Sequence, residues 1–131
     1  MSNRLETMRP NPAWDATSYP EVVEALSQEG LVFKVWGGDW CTDCRAQLPD
    51  FGAALDAAAV PDERVEHYPV EKLDDGSKAG PGVDEYGIEF IPTVVVERDG
   101  TEVVRFVEEA EVPIAVFLAE RLAPDAVEAD D

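Results

Sequence analysis

Cysteine is scarce in this chain: 131 residues hold two, and they sit three apart as Cys41 and Cys44. Histidine is scarcer still, with His67 alone. A structural zinc ion wants four ligands of this kind, so these three residues do not complete a site within one chain, and no metal is expected. Lysine is limited to Lys34, Lys72 and Lys78, beside seven arginines. Asp and Glu total 29 against 10 Lys and Arg, a formal net charge of −19. A surface so poor in positive charge repels phosphate backbones and anionic lipid, which argues against nucleic-acid and membrane-surface partners. Long apolar runs are missing too: nothing approaches the ~20 residues that span a bilayer. The first ten residues, Met1 to Pro10, lack the apolar core of a signal peptide. The expectation is a soluble, cytoplasmic protein.

What is present suits one globular domain. The apolar fraction is 45%, and a chain of this length buries roughly two thirds of its unfolded surface, so it needs no staples to fold. The acid excess is spread along the chain and is not one block. It lies far beyond the net charge of magnitude ~2–8 that suits a small domain. That pattern fits a salt-loaded cytoplasm, as in a halophilic archaeon, where molar salt shortens the Debye length to about 3 Å and silences self-repulsion.

Local signals divide the chain into a polar N-terminal arm at 1–17, a folded domain at 18–122 and an acidic, flexible tail at 123–131. In the arm, Trp14 is the residue expected to tack it onto the body. Ser18-Tyr19-Pro20-Glu21 has the form of a helix start with Ser18 as N-cap, and Gly30 is a plausible stop. Leu31 to Trp36 reads as a buried strand. Lys34 is its odd member, a residue expected at a strand end or reaching for solvent. A helix is predicted from about Cys41 to Ala59, with Leu48, Phe51 and Leu55 as core and Pro49 kinking it. Val65–Glu71 reads as a second strand, 72–82 as a loop, and Val83–Tyr86 as a short helix. Phe90–Arg98 and Thr101–Val107 read as strands joined by the hairpin signal Asp99-Gly100. A last helix is predicted from Glu111 to Leu122. Alternation of β and α elements followed by a hairpin and a helix gives an α/β domain: a central mixed sheet flanked by helices.

The C-x-x-C spacing leaves three readings: a redox dithiol closing a reversible disulfide, half of a zinc site, or two structural thiols. A purely stabilising disulfide fits poorly, because a four-residue ring removes little unfolded-state entropy. A cysteine at a helix N-terminus meets unpaired N–H groups and the positive end of the helix dipole, which favour a thiolate. Cys41, nearer the exposed end, is therefore the candidate nucleophile and Cys44 the candidate resolving thiol. His67 reads as a partly buried polar residue.

Trp36-Gly37-Gly38-Asp39-Trp40-Cys41-Thr42-Asp43-Cys44-Arg45 resembles the active-site segment of thioredoxins, and Pro49 falls where that family kinks its helix. Tyr86-Gly87-Ile88-Glu89-Phe90-Ile91-Pro92-Thr93 resembles the family's second signature. The resemblance covers roughly residues 18–122. It implies a thioredoxin-like fold, a cis peptide at Ile91-Pro92 facing the dithiol, and a substrate surface built from Trp40, Thr42, Asp43, Ile91 and Pro92. It further implies a protein-disulfide reductase that needs no bound cofactor, acts as a monomer and receives electrons from a separate thioredoxin reductase. A disulfide oxidase or isomerase, and a non-catalytic interaction module on the same fold, are the alternatives. Departures from the family pattern are specific. Thr42-Asp43 stands in place of Gly-Pro, no glycine follows the last strand near Glu108, and Val35 occupies the place of a buried Asp that serves the resolving cysteine. Water, Glu71 or Lys72 is the expected substitute for that carboxylate.

Overall fold

The computed structural model describes residues 8–28, 30–38, 41–73, 78–80, 82–107 and 113–122. The order of elements is α1 (Pro20–Leu26), β1 (Leu31–Gly37), α2 (Thr42–Ala57), β2 (Val65–Pro69), β3 (Glu71–Lys72), β4 (Lys78–Ala79), α3 (Val83–Tyr86), β5 (Thr93–Arg98), β6 (Thr101–Val107) and α4 (Ile114–Leu122). The four long strands form one sheet in the order β2-β1-β5-β6, and β3 and β4 form a second, two-stranded one. β1 runs parallel to β2 and antiparallel to β5, and β5 runs antiparallel to β6, so the main sheet is mixed.

Period-two alternation decides what each face of the sheet buries. Leu31, Phe33 and Val35 on β1 share a face with Val94 and Val96, their diagonal and direct neighbours on β5. These five are almost wholly buried, as are Val104 and Phe106 of β6. α1, α2 and α4 pack against one another on this side. Along α2 the buried residues Cys44, Leu48, Phe51 and Leu55 recur at intervals of four and three, the stripe that a 3.6-residue turn turns inward. Phe51 meets Phe33 edge to face at 6.2 Å. Each such aromatic, fully withdrawn from water, contributes roughly 1.5–3 kcal/mol. The opposite face of β1 carries Lys34 and Trp36, and Tyr86 of α3 covers them. The Asp99-Gly100 hairpin forms as predicted: both residues have positive φ, 54° and 82°, the pair of left-handed residues that a tight two-residue turn requires.

Several local expectations are corrected. Ser18 does not cap α1. Its hydroxyl donates to Asp15 at 2.9 Å, Thr17 donates to the same carboxylate from both its hydroxyl and its N–H, and Tyr19 takes the cap position with no side-chain bond. The Thr17 and Ser18 bonds hold the Asp15 carboxyl below its ordinary range. The second strand stops at Pro69 rather than Glu71: the Val70 N–H makes a last bond to the Gly37 carbonyl of β1, and Glu71–Lys72 pairs instead with Lys78–Ala79. β5 begins at Thr93, three residues later than predicted. Lys34 lies neither at a strand end nor out in solvent: its side chain is 16% exposed, between Glu97 at 3.4 Å and Glu66 at 3.9 Å. α2 is shorter than expected at both ends. The predicted tail at 123–131, the first seven residues of the arm, and Glu108 lie outside the described residues. So does the proposed start of the last helix at Glu111; α4 is described from Ile114.

Candidate active site

The dithiol is built by the way β1 hands the chain to α2. Strand pairing ends at Gly37, and the next turn closes when the Cys41 N–H donates to the Gly38 carbonyl at 3.0 Å. Cys41 then sits at the N-cap of α2 in extended conformation (φ −86°, ψ 123°), and its carbonyl accepts the first helical bond from Arg45. No side chain caps this helix. The position that Ser, Thr or Asp commonly fills holds a thiol, so the first-turn N–H groups gain no side-chain acceptor. One turn on, Cys44 is wholly buried, while Cys41 is half-buried; both are free thiols. The Gly38 N–H points at the Cys44 sulfur at 3.5 Å. Burial pushes the Cys44 thiol far above its ordinary range, the Gly38 bond opposes that shift weakly, and the neighbouring Cys41 and Asp43 reinforce it.

The segment before β5 forms the other wall. The Ile91–Pro92 peptide is cis. Ile91 and Pro92 are buried, and the Ile91 carbonyl oxygen lies 3.9 Å from the Cys41 sulfur. Thr93, also buried, folds its hydroxyl back onto the Phe90 carbonyl at 2.5 Å. Of the residues predicted for a substrate surface, Thr42 and Asp43 are exposed on the first turn of α2, and Ile91 and Pro92 stand beside the dithiol from beneath. Trp40, with Asp39, lies outside the described residues. Sequence reasoning missed Phe90. The local pattern places it on the strand, yet it is 41% exposed next to Ile91. The signal was available: a strand starting at a proline leaves the preceding residues outside the ladder.

Val35 is completely buried on the α2 face of β1, so the place of the missing carboxylate is a dry, apolar one. Glu71 is exposed on β3, and the Lys72 side chain lies outside the described residues. Among the described residues Glu71 is not one of the groups acting on Cys44, whereas Asp43 is and opposes ionisation. The buried ionisable cluster of this chain sits one residue away and on the other face. There Lys34 donates to the Tyr86 hydroxyl at 2.8 Å, and that hydroxyl donates to Glu97 at 2.9 Å. The Tyr86 bond raises the Lys34 ammonium well above its ordinary range despite partial burial. Tyr68 donates to Glu66, and burial together with that bond pushes its phenol up to about 12. His67 is half-buried on β2 opposite Val35, beside Met8, Gly52 and Asp56 and well down α2 from the cysteines. Among the described residues no cluster of three His, Cys, Asp or Glu is placed to hold a metal ion. A cavity of about 330 Å³ between Trp14, Tyr19, Gln47, Phe51 and Ile114 does not include the dithiol.

No family model matches the sequence. A thioredoxin of Chlamydia trachomatis is 32% identical over 94 residues, which span 66% of this chain and 84% of that protein. The chain belongs to the thioredoxin family. The mixed sheet with helices packed against it is a thioredoxin-like fold. Family membership supports thiol–disulfide oxidoreductase chemistry in the general sense. Among solved structures, a thioredoxin variant from Halobacterium salinarum is 23% identical, covering 77% of this chain and 79% of its own, with a TM-score of 0.48. Trxlp from Edwardsiella tarda is 19% identical, with coverage of 87% and 96% and a TM-score of 0.48. The family assignment does not rest on these two. No described helix is long and apolar enough to cross a membrane.

Proposed function

We propose that this protein reduces disulfides in other proteins through the Cys41–Cys44 dithiol. The observation that carries the reading is the asymmetry of the pair: an accessible Cys41 at an uncapped helix N-terminus, and a buried, proton-retaining Cys44 one turn behind it. Cys41, as thiolate, attacks one sulfur of a substrate disulfide. The S–S bond breaks, one substrate sulfur leaves as thiolate, and a mixed disulfide joins Cys41 to the other. Cys44 then gives up its proton and attacks the Cys41 sulfur. The mixed disulfide breaks, the second substrate thiol departs with that proton, and the Cys41–Cys44 disulfide carries the two electrons' worth of oxidation. Withholding the proton from solvent until this moment suits a site whose carboxylate base is replaced by Val35: the leaving substrate thiolate is itself the acceptor.

The exposed Thr42, Asp43 and Phe90, with the Ile91–Pro92 backbone and Trp40, are the surface proposed to receive an extended substrate segment. Electrons come from a separate thioredoxin reductase. The protein works as a monomer in the cytoplasm of a salt-loaded cell, a reading supported by its net charge of −19.

The test is the reduction potential of the pair, measured against thiol–disulfide buffers in molar salt. A value near about −270 mV is expected for a reductant. A value of about −120 to −180 mV makes the protein an oxidase or isomerase. The absence of any reversible disulfide would sink the redox reading and leave an interaction module. Cys44→Ser adds a direct view of the first step, because it should trap substrates on Cys41.

A further inference from the structure

Helix α3 has only four residues, one turn, and a turn of that length does not hold itself in water. Yet the segment leaving it, Gly87 to Pro92, delivers the Ile91 carbonyl to Cys41. Ile88 is bonded back to Val83 and Gly87 to Asp84, so the start of the segment moves with α3. Something outside α3 must fix both.

Tyr86, the last residue of α3, is tied to three strands at once. Its hydroxyl accepts from Lys34 on β1 and donates to Glu97 on β5. Its own carbonyl accepts from the Arg105 guanidinium on β6 at 2.7 Å. Its ring packs on Trp36 at 4.9 Å between centroids, and the Lys34 ammonium lies 5.1 Å from that ring's centre. Trp36 leads through Gly37 into Gly38, whose backbone bonds to both cysteines. One side chain therefore grips the strand that carries the dithiol, and the same residue's backbone begins the segment that carries Ile91.

We propose that Tyr86 is a positioning residue: with Arg105 and Lys34 it sets where the Ile91 carbonyl stands against the Cys41 sulfur. Its part in turnover rests on the disulfide-exchange reading above, but its effect on Cys41 does not. Residues Lys34, Glu97 and Tyr86 lie across the sheet from Cys44, so the influence passes through backbone placement and not through direct contact with either thiol.

Two substitutions remove different tethers. Tyr86→Phe deletes the hydroxyl, keeps the ring on Trp36 and leaves Lys34 paired with Glu97 at 3.4 Å. Arg105→Ala frees the Tyr86 carbonyl. Glu102→Gln is the control, since it breaks only the exposed Arg105–Glu102 pair, which contributes little. The measurement is the rate of Cys41 alkylation by iodoacetamide in the reduced protein, at a temperature where all four proteins are folded by circular dichroism. With the carbonyl displaced from the sulfur, Tyr86→Phe and Arg105→Ala should each react faster by about fivefold, the size that one neutral hydrogen bond carries. Glu102→Gln should match the wild type. KM for a protein disulfide should rise by a similar factor with kcat unchanged. A wild-type alkylation rate, or a slower one, in either variant overturns the proposal, and so does a control that moves with them. Failure of the wild type to reduce disulfides at all would instead overturn the proposed function and leave the alkylation test standing.

Discussion

The carbonyl oxygen of Met8 lies 2.1 Å from where a β-carbon on Gly52 would stand. The N-terminal segment is pressed that closely onto α2. Met8 is buried, the Asn11 N–H donates to the Pro49 carbonyl at 3.0 Å, and the Asn11 amide donates to Asp50 at 2.7 Å. Proline at position 49 has no N–H of its own to give, and this stretch of α2 is held by the arm as well as by its own ladder. Gly52→Ala pits two effects against each other. Alanine favours a helix by about 1 kcal/mol. The clash is with backbone, which no rotamer relieves, and overpacking of that kind costs about 1–3 kcal/mol. So close an approach to backbone takes the upper end of that cost, so the clash should win, with a net loss of about 2 kcal/mol in urea unfolding. A variant as stable as the wild type would mean that the arm does not sit on α2 in solution.

The reduced protein should weaken in alkali before the oxidised one does. In the folded state Cys44 keeps its proton above the ordinary thiol value of 9.0, chiefly because it is buried. In the unfolded chain the proton is lost near that value. Above it, the native state binds more protons than the unfolded state, so stability falls as pH rises. Below pH 9 this contribution is fully present. The slope should be about half of ~1.4 kcal/mol per pH unit at pH 9 and approach that value by about pH 10. Oxidation removes the thiol and with it the slope. Tyr68, pushed up to about 12 from 10.0, and Lys34 lose stabilisation in the same direction, but only at higher pH and in both redox forms. Urea midpoints of the two forms between pH 8 and pH 10 check this. Parallel curves would contradict the burial of the Cys44 thiol.

What could be read in the sequence followed period and turn chemistry. α3 at Val83–Tyr86, β6 at Thr101–Val107 and the Asp99-Gly100 turn lie where local signals put them. Cys41 and Cys44 fall at the start of α2 because the strand, the two glycines and the helix-forming run leave them no other place. The errors have different causes, one a competing local bond and another a pair of distant partners. Ser18 looked like a cap, but Asp15 claimed its hydroxyl. Lys34 looked misplaced in an apolar strand, because its partners Glu97 and Tyr86 are fifty or more residues away and invisible to a local reading. The second strand ended early because Glu71 and Lys72 pair with Lys78 and Ala79 instead. Phe90 looked like strand and is surface. For Lys34 the residue type is legible, and the partners that decide its position lie far along the chain.

Phe90 should matter for substrate binding as well as for folding. Its side chain is 41% exposed beside the carbonyl that faces Cys41, while its neighbours Ile91, Pro92 and Thr93 are buried. Full burial of a phenylalanine contributes roughly 1.5–3 kcal/mol, so covering the exposed part against a substrate should supply about 1 kcal/mol. Phe90→Ala is therefore expected to raise KM for a protein disulfide by about fivefold at constant kcat, and to lower unfolding free energy by about 1–2 kcal/mol through the part already covered. Small disulfides, too short to reach Phe90, should be reduced at the wild-type rate. An equal loss on both substrate types would place the residue in the support of Cys41 instead.

Salt should stabilise this protein steeply. The net charge of −19 is spread over the surface, and few cations are available to offset it: Lys34 and Arg105 are already engaged with Glu97 and Glu102. At 0.1 M ionic strength the Debye length is about 10 Å, comparable to the spacing of neighbouring surface carboxylates, and self-repulsion acts on the compact state. At 1 M it falls to about 3 Å and the repulsion is screened. The Lys34–Glu97 pair, being largely buried, loses much less of its attraction over the same range. Unfolding free energy should therefore rise by on the order of 2 kcal/mol or more between 0.1 and 2 M KCl. Replacing exposed Glu21, Glu24 and Glu85 by Gln should raise stability at low salt and flatten the dependence. A protein equally stable at both salt concentrations would remove the argument for a salt-loaded cell, because the acid excess would then cost nothing that salt is needed to relieve.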